Sequence, residues 1–312
     1  MKENIAIGVD IGGSHISCAA FDLIERKYLH DTFFESDLNN HGLPDEIIDS
    51  WGKTLKNVID KVGMKNVSGI GFAMPGPFDY VNGIPLFTGE NEKYENIYGL
   101  DVPRALRKYL GLNNEFPIRF INDATAFAIG EDWIGKAEGS GRSLSITLGT
   151  GFGSAFMRNG IPVADGDEVP KQGCLWHVPF EDGIGDDYFS TRGIVNRYNK
   201  TTGKEISSAK EVADAAATDE SADRIFQDFG SKLVVFLKPW FVKFEVEVLV
   251  IGGNISRAFD LFSPSLKASL LKEGLNVKVE VSDLKDTASI IGSSRLCKAD
   301  FWNKVSPLLK DM

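Results

Sequence analysis

Two glycine-rich turns, each between two apolar strands, are the strongest candidates for chemistry in this sequence. The first segment reads IAIGVDIGGSHISCAAFDL, with its turn at residues 12–14. The second reads SLSITLGTGFGSAFMRNG, with its turn at residues 149–151. Glycine lets a backbone approach a ligand closely, and successive N–H groups in such a turn can face one anion. Two such turns in one chain can hold both sides of a polyphosphate, which favours ATP as the ligand. Each turn taken alone is also compatible with an ordinary or bulged hairpin.

Acidic residues end two of the apolar strands. Asp10 lies just before the first turn, where a charge is costly unless it is paired or bound to a metal. Its functional interpretation is a carboxylate that holds Mg²⁺, directly or through water. Asn122 and Asp123 follow the strand IRFI and precede a predicted helix, where a carboxylate is favoured by the helix dipole. Asp123 could accept the proton of an attacking hydroxyl, although both residues are also common helix caps.

The composition narrows the class of protein. A chain of 312 residues is long for a single hydrophobic core, so we predict two domains. The net charge of −10 argues against a nucleic-acid partner. The three cysteines, Cys18, Cys174 and Cys297, are far apart and fit free thiols in a reducing cytoplasm. We expect no signal peptide and no membrane span, because no apolar run is long enough.

The order of predicted elements repeats. A strand hairpin, a helix and a buried strand occur once in each half, which implies two similar α/β halves. The apolar spacing predicts a helix from Pro44 to about Val62, and a strand follows over 67–74. We place the domain boundary near residues 121–123. The first predicted domain is residues 1–121, and the C-terminal helix at 296–312 is a candidate to complete it. The second predicted domain is residues 122–295.

Six motifs occur in a specific order: VDIGGS, GIGFAMPGPFDYVNG, INDATAFAIGE, ITLGTGFGSAF, VLVIGGNIS and ASIIGSS. Together they resemble the ROK family of bacterial sugar kinases and repressors, and the resemblance covers nearly the whole chain. That family belongs to the actin-like ATPase superfamily. The resemblance implies an α/β fold of two actin-like ATPase (ribonuclease H-like) domains with an interdomain cleft.

The resemblance also implies roles for individual residues. Asp123 matches the catalytic base, and Asp10 matches the residue beside Mg²⁺. The positions implied for binding the cofactor ATP are Asp10, Gly12, Gly13, Ser14, Gly149, Thr150, Gly151, Gly252 and Gly253. The positions implied for binding the sugar are Gly76, Asn122, His177 and Asp186.

The chain departs from the family between residues 173 and 190. The family usually has Gly-Glu-x-Gly-His here, whereas this chain has Cys174 in place of Glu and Trp176 in place of the second Gly. The cysteine-rich zinc loop of the family is replaced by VPFEDGIGDDYFS, so we expect no structural zinc. Asp186 stands where the family has Glu. Trp176 has two interpretations that stay open: stacking on the sugar, or filling the space of the missing zinc loop.

These features predict an ATP-dependent hexose kinase that acts on the 6-hydroxyl of glucose or a related sugar. The alternative is a catalytically weak or inactive sugar-binding regulator of the same family. A DNA-binding repressor is not expected, because Asp10 is too close to the start for a preceding helix-turn-helix. The sugar stays open among glucose, mannose, fructose, N-acetylglucosamine and N-acetylmannosamine. The expected partners are a sugar and ATP, and members of the family often form dimers.

Overall fold

The structure is a computed structural model, and it describes residues 4–89 and 93–312. The strands are β1 (Ile5–Ile11), β2 (His15–Asp22), β3 (Lys27–Tyr28), β4 (Phe34–Asp37), β5 (Val67–Met74), β6 (Phe78–Asp79), β7 (Ile84–Pro85), β8 (Ile118–Asn122), β9 (Arg142–Leu148), β10 (Phe152–Arg158), β11 (Ile161–Val163), β12 (Pro179–Phe180), β13 (Gly183–Ile184), β14 (Val248–Gly252) and β15 (Lys278–Val281). The helices are α1 (Pro44–Val62), α2 (Val102–Leu110), α3 (Asp123–Ile134), α4 (Gly185–Phe189), α5 (Thr191–Thr202), α6 (Ala209–Ala215), α7 (Glu220–Phe244), α8 (Phe259–Lys272), α9 (Thr287–Arg295) and α10 (Ala299–Val305).

The chain divides into two compact units, and their limits differ from the predicted domains. Unit 1 comprises residues 1–134 and 286–312, and unit 2 comprises residues 135–285. Helix α3 belongs to unit 1 because it packs against α9 and contacts β5 and β8. The C-terminal segment of unit 1 is longer than the predicted 296–312, since α9 itself lies on β1 and β5. The predicted boundary at 121/122 therefore falls inside unit 1.

The two units contain the same sheet motif. In unit 1 the strand order is β3-β2-β1-β5-β8, and β4 also pairs with β2. In unit 2 the order is β11-β10-β9-β14-β15. In each, an antiparallel meander of three strands is extended by two parallel strands. The predicted duplication of an α/β unit is thus confirmed.

Local sequence accounts for the helices of unit 1 that flank the sheet. Helix α1 has the predicted bounds, with Pro44 at its first turn and Trp51, Leu55 and Val58 on the buried face. Its start is stabilised by Glu46, whose side chain accepts a hydrogen bond from the Leu43 N–H at 3.0 Å. In α2, the Asp101 carboxylate caps the helix by accepting from the Arg104 N–H at 2.9 Å.

Helix α9 lies so close to the sheet of unit 1 that only glycine fits beneath it. A Cβ atom at Gly8 would lie 1.8 Å from the Ile290 carbonyl oxygen, and one at Gly71 would lie 1.9 Å from that of Ser293. The Ser293 hydroxyl is also 3.2 Å from the N–H and from the carbonyl of Val9. On its other side, Gly292 makes the same kind of backbone approach to α3. This packing holds the middle of β1 and β5 against α9, and Asp10 lies two residues after Gly8 on β1.

Some elements differ from the sequence prediction. From the sequence, residues 28–34 are predicted to form one strand, whereas the structure has two short strands, β3 and β4, with a single turn of 3-10 helix between them at His30–Thr32. Helices α5 and α8 were not predicted. Pro264 lies inside α8, and Pro239 lies inside the continuous helix α7. Among the described residues, no helix is both long and apolar enough to cross a membrane.

We expect Gly71→Ala to destabilise unit 1, because its methyl group must displace the backbone of α9. Overpacking of this kind costs about 1–3 kcal/mol of unfolding free energy, and more where the obstacle is backbone. Urea unfolding followed by circular dichroism measures the loss. Gly89→Ala is the matched control, since the nearest atom to its new Cβ would lie 3.9 Å away. Equal stability of the two variants would contradict the close packing of α9.

Candidate active site

The first glycine-rich turn joins β1 to β2 and is held by its carbonyl groups. The Gly12 carbonyl accepts a hydrogen bond from the Tyr94 hydroxyl. The Gly13 carbonyl accepts from the Asn40 amide at 2.5 Å, and the Ser14 carbonyl accepts from the Leu38 N–H at 2.8 Å. These three contacts point the carbonyls into the protein and fix the turn.

The N–H groups of the same turn are left for a ligand. The Gly12 N–H donates to the His15 carbonyl at 2.9 Å. Within residues 4–89 and 93–312, no group accepts a hydrogen bond from the N–H of Gly13 or Ser14. Both residues are exposed, and no other atom lies within 4 Å of where a Cβ of Gly13 would be. Consecutive N–H groups of this kind form a site for an anion such as phosphate.

Asp10 lies one residue before the end of β1, beside this turn. Burial, together with the smaller effect of the nearby carboxylates of Asp123 and Asp286, raises the pKa of its carboxyl from 3.8 to about 8. The ionised form of Asp10 is therefore unfavourable unless a positive charge compensates it. The described residues hold no group of three or more His, Cys, Asp or Glu side chains able to bind a metal by themselves. This arrangement fits Mg²⁺, which usually takes one or two carboxylates together with phosphate oxygens.

Asn122 ends β8 and Asp123 begins α3, in the order that the sequence predicted. The Asn122 side-chain oxygen accepts from the Thr125 N–H at 3.2 Å and so caps the helix. Asp123 Oδ1 accepts from the Ala124 N–H at 2.8 Å and from the Asn122 amide at 3.0 Å. Within the described chain, Oδ2 accepts no hydrogen bond. Asn122, not Asp123, therefore caps the helix, and one carboxylate oxygen of Asp123 is not used by these local contacts.

Gly76 follows β5 in the segment that the resemblance assigns to the sugar. The residue is exposed, and a Cβ atom there would lie 3.6 Å from the Tyr80 hydroxyl. That hydroxyl donates to the Met74 carbonyl at 3.1 Å and lies 3.4 Å from the Asn122 amide nitrogen. Tyr80 thus links the Gly76 segment to Asn122 at the same edge of the unit 1 sheet.

The second glycine-rich turn joins β9 to β10 in unit 2, in the equivalent place. The Gly149 carbonyl accepts from the Thr191 N–H at 2.8 Å, and the Gly151 carbonyl accepts from the Gly149 N–H at 3.1 Å. The described residues offer no acceptor to the N–H groups of Thr150 and Gly151, and both residues are exposed. The pattern of the first turn is therefore repeated: carbonyls held internally, and two consecutive donors left over.

Gly252 and Gly253 lie at the base of the second turn. Gly252 ends β14 and pairs with Thr147 of β9. Gly253 has φ of 80°, and a Cβ there would lie 2.4 Å from the Leu148 carbonyl oxygen. Only glycine permits this conformation and this approach. The glycine pair assigned to adenosine is thus in direct contact with the strand that carries the assigned phosphate turn.

The departing segment at 173–190 lies in unit 2 and contains two of the four predicted sugar residues, His177 and Asp186. His177 is half-buried, and burial lowers the pKa of its imidazole with a further contribution from Lys171. Its ring packs edge-on against Trp176 at 5.2 Å. Trp176 is 47% exposed, and both interpretations of it, stacking on the sugar and filling the space of the missing zinc loop, stay predictions. Cys174 is partly buried, with its sulfur 3.3 Å from the Gln172 carbonyl.

Aromatic side chains pack together in the segment that was predicted to lack a zinc site. The short hairpin β12–β13 carries Phe180, whose ring lies 5.0 Å from Tyr188, 5.5 Å from Phe189 and 5.3 Å from Phe236. Phe152, which directly follows the second turn, joins the same cluster through Phe189 at 5.5 Å. Buried aromatic area therefore stabilises this hairpin.

Asp186 contacts the second turn, which the sequence did not predict. Its Oδ1 accepts from the Phe152 N–H at 2.7 Å, and its Oδ2 pairs with Arg192 at 2.8 Å. The sequence also did not single out Asn40, Tyr94 or Asp286. Asn40 and Tyr94 are remote in sequence from the turn that they hold. Asp286 directly precedes α9, where an acidic residue is common. No local sequence pattern therefore identifies these three residues.

We expect Asp10→Asn to stabilise the protein at alkaline pH in the absence of Mg²⁺. The raised pKa means that folding requires Asp10 to take up a proton, so its effect on stability worsens as the pH rises from about 4 to about 8. Asparagine removes this effect. The variant should gain about 2 kcal/mol or more over wild type at pH 8.5 and little near pH 4. Urea unfolding at the two pH values measures it, and a pH-independent difference would contradict the raised pKa.

Comparison with known proteins agrees with this geometry. The sequence model of the ROK family matches residues 6–300. The glucokinase of Thermotoga maritima is 25% identical, with 94% of this chain and 96% of the relative aligned. The N-acetyl-D-glucosamine kinase of Mannheimia succiniciproducens is 26% identical over 85% of this chain and 88% of the relative.

Solved structures share the fold. A ROK hexokinase from Thermus thermophilus superposes with a TM-score of 0.76 at 19% identity, covering 93% of this chain and 96% of the other. A ROK family glucokinase from Streptomyces griseus, in complex with glucose and AMPPNP, gives 0.70 at 21% identity, covering 94% and 98%. The family match over nearly the full length, with this shared fold, shows that the chain belongs to the ROK family.

Proposed function

We propose that this chain is an ATP-dependent sugar kinase that transfers a phosphoryl group to a hexose, at the 6-hydroxyl of glucose or a related sugar. The observation that carries the proposal is the set of unused donors: two consecutive N–H groups at Gly13–Ser14 and two at Thr150–Gly151. Kinases of glucose and of N-acetyl-D-glucosamine among the relatives support it.

In the proposed reaction, Asp123 is the general base. The 6-hydroxyl oxygen attacks the γ-phosphorus, the bond from that phosphorus to the bridging oxygen of ADP breaks, and Asp123 Oδ2 accepts the hydroxyl proton. Asn122 orients Asp123 through the 3.0 Å hydrogen bond to Oδ1. The free N–H groups of the two turns bind phosphate oxygens and stabilise the charge that is transferred.

The cation belongs beside Asp10. Mg²⁺ bound there would neutralise phosphate charge, and it would also compensate the Asp10 carboxylate that burial now destabilises. In the same proposal Gly252 and Gly253 contact adenosine, whereas Gly76, Asn122 and His177 bind the sugar. We further propose a cytoplasmic enzyme without a nucleic-acid partner, and a homodimer as in many members of the family.

A second candidate rests on Cys174 and Trp176, which replace residues that usually surround the sugar. It is a sugar-binding regulator of the same family with weak or no catalysis. Retention of Asp123 and of both turns supports the kinase over this candidate, because a regulator that only binds sugar does not require them.

We expect the purified protein to release ADP when supplied with Mg·ATP and a suitable sugar. A coupled assay with glucose, mannose, fructose, N-acetylglucosamine and N-acetylmannosamine identifies the substrate. Asp123→Ala should lower kcat by about 100-fold or more, with the affinity for Mg·ADP changed less than about threefold, because the base acts on the sugar proton only. Sugar binding without turnover by the wild type would favour the regulator, and a fully active Asp123→Ala variant would exclude Asp123 as the base.

His177→Ala tests the proposed contact of His177 with the sugar, separately from ATP binding. We expect a KM for the sugar about tenfold higher, with the KM for ATP unchanged, because a hydrogen-bond partner of the sugar is lost. His30→Ala is a control, since this histidine lies in unit 1 on the 3-10 turn after β3. An unchanged sugar KM in His177→Ala would remove this residue from the sugar site.

A further inference from the structure

We infer that Asp186 is a positioning residue for the second glycine-rich turn, and that it acts on ATP affinity more than on sugar affinity. This inference rests on the proposed kinase function. The resemblance had placed Asp186 at the sugar, because the family has a Glu at this position. The contacts of its side chain point to the phosphate turn instead.

The side chain of Asp186 is held against the end of the turn. Its Oδ1 accepts from the Phe152 N–H at 2.7 Å, and a Cβ at Gly151 would lie 3.3 Å from the same oxygen. The side chain is 19% exposed, and its Oδ2 pairs with Arg192 at 2.8 Å. Both oxygens are thus engaged within unit 2. A charge-assisted hydrogen bond of this length restrains the N–H it receives more strongly than a neutral one does.

The other end of the turn is held from the same short segment. The Thr191 N–H donates to the Gly149 carbonyl at 2.8 Å. The segment between these two contacts is itself closed, because the Ser190 hydroxyl donates to the Asp186 carbonyl at 2.6 Å. Residues 186–191 therefore clamp both ends of the turn, and Thr150 and Gly151 between them keep their free N–H groups in place.

The main chain of Asp186 is tied to the predicted sugar segment. Its N–H donates to the Trp176 carbonyl at 2.9 Å. Substitution of the side chain leaves this contact intact, because it uses only the backbone. A side-chain variant should accordingly loosen the phosphate turn and leave Trp176 and His177 where they are. The shorter arm of Asp, compared with the usual Glu, places the carboxylate beside Phe152.

Asp186→Ala tests the inference by comparing the change in affinity for ATP with the change in affinity for the sugar. We expect its KM for ATP and its dissociation constant for Mg·ADP, measured by calorimetry without sugar, to rise about tenfold or more, since a charged hydrogen-bond acceptor is lost. The KM for the sugar should change less than about twofold. Asp186→Asn, whose amide oxygen can still accept from Phe152, should recover most of the nucleotide affinity.

Asp187→Ala is the matched control. It removes the adjacent carboxylate, which also pairs with Arg192, at 3.2 Å. The Asp187 carboxylate accepts a hydrogen bond from the Ile184 N–H at 3.1 Å, whereas Asp186 accepts one from Phe152 at the turn. We expect its nucleotide affinity to match the wild type. If Asp186→Ala does not fold, Asp186→Ser keeps a polar side chain too short to reach Phe152 and should give the same split.

The outcomes separate the inference from the proposed function. A raised sugar KM with unchanged nucleotide affinity in Asp186→Ala, or equal effects of Asp186→Ala and Asp187→Ala, would overturn the positioning role while leaving the kinase intact. A wild-type protein that binds no Mg·ADP and turns over no sugar would overturn the kinase proposal, and this inference with it.

Discussion

The candidate site depends on the hydrogen bonds that the backbone carbonyl groups of the two glycine-rich turns accept. A glycine-rich turn can present its N–H groups to an anion only if other groups hold its carbonyls in the opposite direction. In unit 1, Tyr94, Asn40 and the Leu38 N–H do this, and in unit 2 the Thr191 N–H does. The donors that remain, at Gly13–Ser14 and at Thr150–Gly151, have equivalent places in two copies of one sheet motif.

Three carboxyl groups of unit 1 lie near one another, and this arrangement disfavours their ionised forms. Asp10, Asp123 and Asp286 lie near enough that two of them raise the pKa of the third. Close packing of α9 on Gly8 and Gly71 brings Asp286 to this position, since it directly precedes that helix. Neighbouring carboxylates repel one another, so the cation proposed beside Asp10 would also stabilise the fold around it.

In unit 2, aromatic packing stabilises the short hairpin β12–β13. Phe180, Tyr188, Phe189 and Phe236 pack together around it. Phe152 extends this cluster to the second turn. The segment at 173–190 is therefore connected to the second turn, and Asp186 provides the polar part of that connection.

The sequence by itself determined the elements and motifs whose signals are local. The apolar period of α1, the paired turns and the Asn122–Asp123 step from strand to helix are patterns of neighbouring residues, and the structure reproduces them. Helix α8 was not predicted, although its buried residues Phe262, Leu266 and Leu270 recur at helical spacing. Only the tertiary structure decided the domain limits, the groups that hold each turn, the Asp10 environment and the partner of Asp186. All of these depend on residues remote in sequence, such as Tyr94 beside Gly12, which packing brings together and no local pattern encodes.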